Sequence, residues 1–249
     1  MRDFGLIGFP LTHSFSKQYF TDKFAREGIA DCTYNNYPIG EIGLLPDLIA
    51  SHPHLAGLNV TIPFKEQVIP YLDEVDEAIP LIGAVNTIKI IRRGNIIHLR
   101  GYNTDVYGFS ASLKPWLKEH YSKALILGTG GASKAAAYVL NGLGFEITYV
   151  SRNPRSSNHL SYKQLTAEQV AEARVIINAS PVGMYPDTGS YPAIPYDAIT
   201  ADHVLFDLIY NPPETMFLAR GKTRGAKVIN GLQMLQLQAE KSWKIWNAD

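Results

Sequence analysis

The 249-residue chain has one cysteine, no excess of either charge and no long apolar run. Cys32 alone excludes an internal disulfide and a cysteine metal cluster, so a reducing cytoplasm is expected. The 23 Lys+Arg against 23 Asp+Glu argue against a general nucleic-acid surface, which needs a basic excess. No apolar run approaches the roughly 18 residues of a membrane span, and the N-terminus lacks a signal-peptide cleavage pattern. We therefore expect a cytoplasmic monomer or homodimer without nucleic-acid or membrane partners.

The N-terminal half mixes strand and helix patterns. Residues 5–9 predict a short buried strand, and residues 17–28 predict an amphipathic helix that ends at a glycine. Residues 32–39 and 55–62 predict further strands. Two alternating runs within residues 87–99 flank Arg-Arg-Gly-Asn, which indicates a hairpin. This half therefore predicts a mixed α/β domain that ends at about residue 102.

The second half has a different and more regular pattern. Five short apolar runs rich in β-branched residues follow one another at 123–128, 145–150, 174–179, 203–208 and 226–230. Helical patterns, such as residues 133–144 and 167–173, lie between most of them. This alternation is typical of a parallel sheet covered on both faces. It predicts a doubly wound second domain.

A strand, a glycine turn and a helix follow one another in "ALILGTGGASKAAA". Gly128, Gly130 and Gly131 allow a tight turn and a close approach of the backbone to a ligand. The following helix directs its first N–H groups toward the turn, where a pyrophosphate binds well. The pattern is GxGG rather than GxGxxG, and the alternative is a turn that binds nothing. The flanking strand and helix favour a dinucleotide site.

The end of the next strand distinguishes the two nicotinamide cofactors. NAD-binding sheets place a carboxylate there, roughly 20 residues after the glycine turn, to bond the ribose 2′-hydroxyl. Here Ser151 and Arg152 occupy that point, and Arg155 follows. A guanidinium pairs with a 2′-phosphate, which a carboxylate would repel. We therefore predict NADP, the alternative being a solvated loop with ordinary arginines.

Small polar groups suited to a polyhydroxylated acid recur in the first half of the chain. They are Ser14 and Ser16 in a segment expected to be extended, Asn59 and Thr61 on a predicted strand, Lys65, Asn86 and Asp105. Positions two apart share one face of an extended segment. Each residue has an ordinary alternative: a turn serine, an asparagine that satisfies backbone groups, a surface lysine or a helix-capping aspartate. His13 and His98 lack a paired ligand spacing, so no metal site is predicted.

Eight motifs together resemble the shikimate dehydrogenase family, and they follow in the family's order along nearly the whole chain. They are "HSFS", "NVTIPFK", "GAVNT", "GYNTDxxGF", "GTGGAS", "NASPVGM", "DLIYNPPET" and "NGLQMLQLQ". The resemblance implies NADP-dependent interconversion of 3-dehydroshikimate and shikimate, on the route to aromatic amino acids. It implies two α/β domains with the active site in the cleft between them. The substrate domain would span residues 1–102, completed by a helix at about 231–249, and the Rossmann-like NADP-binding domain would span 103–230.

The resemblance also implies roles for individual residues. Lys65 and Asp105 would be the catalytic acid–base pair. The substrate residues would be Ser14 and Ser16 at the carboxylate with help from Tyr210, then Asn59, Thr61 and Asn86 as ring-hydroxyl or bracing residues, and Gln238 from the last helix. The cofactor residues would be Gly128, Thr129, Gly130, Gly131 and Ala132 at the pyrophosphate, Ser151, Arg152, Asn153 and Arg155 at the 2′-phosphate, and Ser180, Met184, Leu208 and Gly231 near the ribose and nicotinamide.

Three positions depart from the common family pattern. Lys17 stands where proline is common, Val106 where glycine is usual and Thr129 where alanine is common. Lys17 adjoins the proposed carboxylate contact, so quinate/shikimate dehydrogenase is an alternative. A non-catalytic sensor that binds NADP and shikimate is another alternative, against which the intact Lys65 and Asp105 argue.

Overall fold

The computed structural model describes residues 1–11, 15–154 and 156–248. The chain divides into two compact units. Unit 1 comprises Met1–Thr104 and Gln238–Asp249, and unit 2 comprises Asp105–Leu237. Among the described residues, no helix combines the length and apolar character needed to cross a membrane.

Unit 1 is built on a mixed six-stranded sheet. Its strands and helices, in chain order, are β1 (Arg2–Gly8), α1 (Phe15–Glu27), β2 (Cys32–Pro38), α2 (Leu45–Ser51), β3 (Leu55–Val60), β4 (Glu74–Val75), α3 (Ile79–Ile82), β5 (Thr87–Arg93) and β6 (Ile96–Tyr102). The strand order is β2-β1-β3-β5-β6-β4. The first three strands are parallel, whereas β3, β5 and β6 pair antiparallel. Strand β3, which carries Asn59, therefore lies in the middle of the sheet.

The predicted hairpin is present, and its turn follows from the sequence. Arg93 pairs with Ile96, so Gly94 and Asn95 form the two-residue connection between β5 and β6. Gly94 has φ +59°, a conformation that glycine adopts without the strain of a Cβ. The Gly-Asn pair thus fixes the register of the two strands.

Unit 2 contains a six-stranded sheet in which every pairing is parallel. Its elements are α4 (Asp105–Leu113), β7 (Lys123–Leu127), α5 (Gly131–Gly142), β8 (Glu146–Val150), β9 (His159–Leu160), α6 (Ala167–Glu172), β10 (Val175–Asn178), β11 (Val204–Asp207), α7 (Met216–Thr223) and β12 (Lys227–Ile229). The last helix, α8 (Leu232–Asn247), begins in unit 2 and belongs to unit 1 from Gln238 onward. Short 3₁₀ turns cover Ile42–Leu44, Ile69–Tyr71, Lys114–Trp116 and Tyr196–Ala198.

The strand order of unit 2 locates its ligand site. The order β12-β11-β10-β7-β8-β9 reverses direction between β7 and β10, as in the doubly wound dinucleotide-binding fold. Ligands of such sheets bind at that switch point, beyond the carboxyl ends of the strands. The two sheets confirm the predicted α/β fold class, and all five apolar runs of the second half contain strands.

Candidate functional site

A buried set of neutral polar side chains lies in unit 1, and we name it the hydroxyl–amide network. Its members are between 0% and 8% exposed: Tyr34, Asn59, Asn86, Thr87, Thr104 and Ser242. Buried polar groups destabilise a fold unless they are paired, so the hydrogen bonds of this set determine its geometry.

Asn59 forms one half of the hydroxyl–amide network. Its Oδ1 accepts a 2.8 Å hydrogen bond from the Tyr34 hydroxyl. Its Nδ2 lies 3.0 Å from Ser242 Oγ, 3.2 Å from Thr87 Oγ1 and 3.3 Å from the Asn86 carbonyl oxygen. The Asn59 amide is therefore held on both sides by protein groups.

Asn86 forms the other half. Its Oδ1 accepts hydrogen bonds from the Thr104 backbone N–H at 2.8 Å, the Thr104 hydroxyl at 3.1 Å and the Thr87 hydroxyl at 3.1 Å. Its Nδ2 donates to Gln238 Oε1 at 2.9 Å. Two predicted substrate residues, Asn86 and Gln238, are thus in direct contact.

Ser16 joins this network through Tyr34. Burial raises the pKa of the Tyr34 phenol, and a side-chain hydrogen bond with Ser16 partly offsets that effect. Ser16 lies in the first turn of α1, which begins at Phe15, so the expected extended conformation is wrong for this residue. Thr61 likewise lies one residue beyond β3, which ends at Val60.

The two predicted catalytic residues adjoin the hydroxyl–amide network through the backbone. The Lys65 carbonyl oxygen accepts a 2.7 Å bond from the N–H of Val85, the residue before Asn86. The Lys65 side chain is half-buried. Asp105 follows Thr104 directly, is 3% exposed and is the first residue of α4. A carboxylate in the first turn of a helix is favoured by the helix dipole.

The glycine turn of unit 2 lies at the switch point between β7 and β10. Gly128 has φ +114°, and a Cβ there would lie 2.9 Å from the Ala179 carbonyl oxygen. A side chain would therefore displace the loop that carries Ser180. A Cβ on Gly130, in contrast, would meet nothing within 4 Å. Gly130 is the N-cap of α5 and supplies no side-chain capping bond, so the first N–H groups of this 12-residue helix favour an anion.

The end of β8 contains an unsatisfied buried polar atom. Ser151 is 8% exposed, and its Oγ has no hydrogen-bond partner among the described residues. Arg152 and Asn153 follow it and are exposed. Burial raises the pKa of the Tyr162 phenol, an effect that the Arg152 charge partly offsets. A buried hydroxyl beside an exposed guanidinium suits a phosphorylated ribose.

A buried carboxylate organises the loops at the ends of β10 and β11. Asp207 is 0% exposed and accepts bonds from Thr215 Oγ1 at 2.6 Å, the Ile209 N–H at 3.0 Å and Asn178 Nδ2 at 3.1 Å. Asn178 Oδ1 in turn accepts from Ser180 Oγ at 2.7 Å. We name Asp207, its three partners Thr215, Ile209 and Asn178, and Ser180 the carboxylate network. Burial raises the pKa of Asp207 from 3.8 to about 6, although its hydrogen bonds favour the ionised form.

Other predicted cofactor residues lie around the carboxylate network. The Leu208 N–H donates to the Asn178 carbonyl oxygen at 3.0 Å. A Cβ on Gly231 would lie 2.3 Å from the Leu208 carbonyl oxygen, so only glycine fits there. Met184 is 46% exposed, which leaves its side chain accessible to a ligand. Tyr210 is half-buried in unit 2, and burial raises its pKa.

The sequence reasoning omitted several residues of these networks. They are Tyr34, Thr87, Thr104, Ser242, Asp207, Asn178 and Thr215. Thr87, Thr104 and Asp207 adjoin predicted residues, and Asn178 and Thr215 lie within the same motifs as predicted residues, so a signal existed for all five. Ser14 and Arg155, both predicted site residues, and His13 lie outside the described residues.

Comparisons with known proteins identify the family. A model of the shikimate dehydrogenase substrate binding domain matches residues 6–88. The shikimate dehydrogenase (NADP(+)) of Carboxydothermus hydrogenoformans is 36% identical over an alignment 257 residues long that includes 97% of this chain and 90% of that protein. This chain belongs to the shikimate dehydrogenase family. The resemblance inferred from the eight motifs is thereby confirmed.

Solved structures of the family have the same architecture. The shikimate 5-dehydrogenase of Thermus thermophilus, in complex with NADP(H) and shikimate, gives a TM-score of 0.85 at 30% identity over 99% of this chain and 94% of its own. The quinate dehydrogenase of Corynebacterium glutamicum, in complex with NAD, gives a TM-score of 0.86 at 26% identity over 99% and 93%.

The residues of unit 2 fit a phosphorylated dinucleotide. The open approach at Gly130 and the uncapped start of α5 suit a pyrophosphate. The unsatisfied Ser151 hydroxyl and the adjacent Arg152 suit a 2′-phosphate. No carboxylate follows β8 directly, where NAD-binding sheets place one.

Proposed function

We propose that this protein is an NADP-dependent shikimate dehydrogenase that interconverts 3-dehydroshikimate and shikimate in aromatic amino-acid biosynthesis. Its main support is the similarity to shikimate dehydrogenases (NADP(+)) over 97% of the chain. A cytoplasmic location and a monomeric or homodimeric state complete the proposal.

Unit 1 binds the substrate in this proposal. Its support is the match of residues 6–88 to a substrate binding domain, together with the concentration of hydroxyl and amide groups in the hydroxyl–amide network. Ser14 and Ser16 hold the carboxylate, with Tyr210 assisting, and Thr61, Asn86 and Gln238 contact the ring oxygens. Asn59 braces the pocket, because its amide groups already contact Tyr34 and Ser242.

Lys65 and Asp105 carry out the acid–base step. Oxidation of an alcohol requires a group within hydrogen-bond reach that removes the hydroxyl proton. Lys65 takes that proton, and Asp105 orients the amine and shares the proton. Support comes from two hydrogen bonds: the Val85 N–H donates to the Lys65 carbonyl oxygen, and the N–H of Thr104, the neighbour of Asp105, donates to Asn86 Oδ1.

NADP, when bound, supplies the hydride acceptor or donor. Gly128, Thr129, Gly130, Gly131 and Ala132 hold its pyrophosphate, Ser151, Arg152, Asn153 and Arg155 hold its 2′-phosphate, and Ser180, Met184, Leu208 and Gly231 position its ribose and nicotinamide. The carboxylate network keeps Ser180 in place through Asn178.

An absorbance assay of the purified protein tests the proposed function. Shikimate with NADP⁺ should produce the NADPH band, and NAD⁺ should give a much slower rate because it lacks the 2′-phosphate that Arg152 contacts. Equal or faster turnover of quinate would favour the quinate/shikimate alternative. Tight binding of both ligands without any NADPH band would identify a sensor and contradict the proposal.

A further inference from the structure

The hydroxyl–amide network fixes the orientation of the Gln238 amide. The Thr104 backbone N–H can only donate, so the Asn86 atom 2.8 Å from it must be the oxygen. The Asn86 NH₂ group therefore faces Gln238 and donates to it at 2.9 Å. Gln238 can accept that bond only through its own oxygen, which leaves its Nε2 group to donate elsewhere.

Ser242 fixes the helical turn that carries Gln238. It lies four residues later on α8, and its Oγ is 3.0 Å from the Gln238 carbonyl oxygen. Ser242 Oγ also lies 3.0 Å from Asn59 Nδ2, 2.8 Å from Thr87 Oγ1 and 3.2 Å from Thr104 Oγ1. Ser242 is thus bonded to both halves of the network, and it is 0% exposed.

We propose that Ser242 is a positioning residue for substrate binding that acts through Gln238. Its hydrogen bonds hold α8 in the position in which Gln238 Oε1 accepts from Asn86 and Gln238 Nε2 can donate to a substrate oxygen. This inference rests on the proposed function of unit 1 as the shikimate-binding unit. The group that Gln238 recognises must then be a hydrogen-bond acceptor, such as a carboxylate, carbonyl or hydroxyl oxygen.

The buried hydroxyl of Ser112 offers a matched control. Ser112 lies on α4, is 1% exposed, and its Oγ has no partner among the described residues. Ser112→Ala removes the same atom from a similarly buried helical position, but it leaves the hydroxyl–amide network intact. It should bind shikimate as the wild type does.

A double-mutant cycle separates positioning from general destabilisation. Calorimetric titration of the full-length protein with shikimate should show a three- to tenfold weaker Kd for Ser242→Ala, the effect of losing ordinary hydrogen bonds. In a Gln238→Ala background, Ser242→Ala should weaken binding by less than twofold more, because its effect passes through Gln238. If Ser242→Ala does not fold, Ser242→Cys preserves the volume and takes its place in the cycle.

Additive losses in this cycle would overturn the proposal, as would wild-type affinity in the single Ser242 variant. A second pair of variants tests the orientation of the Gln238 amide. Gln238→Glu keeps an acceptor that faces Asn86 but loses the Nε2 donor. The Glu variant should therefore bind shikimate no better than Gln238→Met. Tighter binding by the Glu variant would show that this position accepts. A wild-type protein that binds no shikimate would instead refute the proposed function.

Discussion

The buried hydrogen-bond networks of the two units differ in their chemistry. In unit 1 the hydroxyl–amide network consists of neutral hydroxyls and amides linked through Asn59, Asn86 and Ser242. In unit 2 the buried centre is the carboxylate of Asp207, which joins the loops after β10 and β11 to the start of α7. Asn59 lies near the carboxyl end of β3, and Asn178 and Asp207 are the last residues of β10 and β11.

Because of this difference, the two networks should respond differently to pH. Hydroxyls and amides keep their donors and acceptors at any moderate pH, so the hydroxyl–amide network presents a fixed pattern. A buried carboxylate costs desolvation energy and changes its protonation state within an accessible pH range. We therefore expect the hydrogen bonds of the hydroxyl–amide network to be insensitive to pH and those of the carboxylate network to depend on it.

The largest expected effect concerns Lys65, whose backbone adjoins the hydroxyl–amide network. Lys65→Ala should lower kcat by roughly 10²–10⁴, the usual range for a general acid–base group. KM should change much less, and addition of Asp105→Ala should worsen kcat little further, because the two residues act as a unit. Steady-state rates of NADPH formation measure this. Near-normal kcat in Lys65→Ala would refute the catalytic role.

The next effect lies in the carboxylate network. Because burial raises the pKa of Asp207 from 3.8 to about 6, the folded protein holds a proton between those values that the unfolded chain has released. The free energy of unfolding should therefore fall as pH rises through this window, by about 3 kcal/mol from this group. Urea unfolding at pH 4 to 7 should show a steeper decline for the wild type than for Asp207→Asn. Parallel profiles would contradict the assignment.

A smaller effect is expected at Arg152, an exposed residue that follows the end of β8. Arg152→Ala removes a charge-assisted bond of roughly 1.5–3 kcal/mol to the 2′-phosphate. The KM for NADP⁺ should rise on the order of tenfold or more, whereas weak use of NAD⁺ should stay nearly unchanged. Equal losses with both cofactors would show that Arg152 does not contact the 2′-phosphate.

The smallest effect is expected at Ser16, which joins the hydroxyl–amide network through Tyr34. Ser16→Ala removes one neutral hydroxyl, so the KM for shikimate should rise by roughly three- to tenfold with little change in kcat. Shikimate methyl ester should be a poor substrate of the wild type. Turnover of the ester at the rate of the free acid would place the carboxylate elsewhere, for example near Lys17.

The sequence predicted the features that short segments encode. The glycine turn at 128–131 and the hairpin turn at Gly94 require local conformations that few residues adopt. Five of the six strands of unit 2 were recognisable because each lies in an apolar run. The two-residue strands β4 and β9 were not, since two residues show no periodicity.

The networks were harder to predict because their bonds connect distant parts of the chain. Ser242 lies 183 residues from Asn59 along the sequence, and nothing near it distinguishes it from a surface serine of the last helix. Asp207 stands in a recognised motif, but its role becomes visible only when Thr215 and Asn178 are seen to donate to it. Tertiary packing, rather than local pattern, assigns these roles.

The central claim is that the hydroxyl–amide network supports substrate binding and the carboxylate network supports cofactor binding. Calorimetric titrations of one variant from each network with both ligands test it. Thr87→Val removes a hydroxyl of the first network, and Asn178→Ala removes the group that joins Ser180 to Asp207 in the second. Thr87→Val should weaken shikimate binding by roughly three- to tenfold and leave the Kd of NADP⁺ within about twofold, and Asn178→Ala should do the reverse. Equal losses of both ligands in either variant would contradict the account.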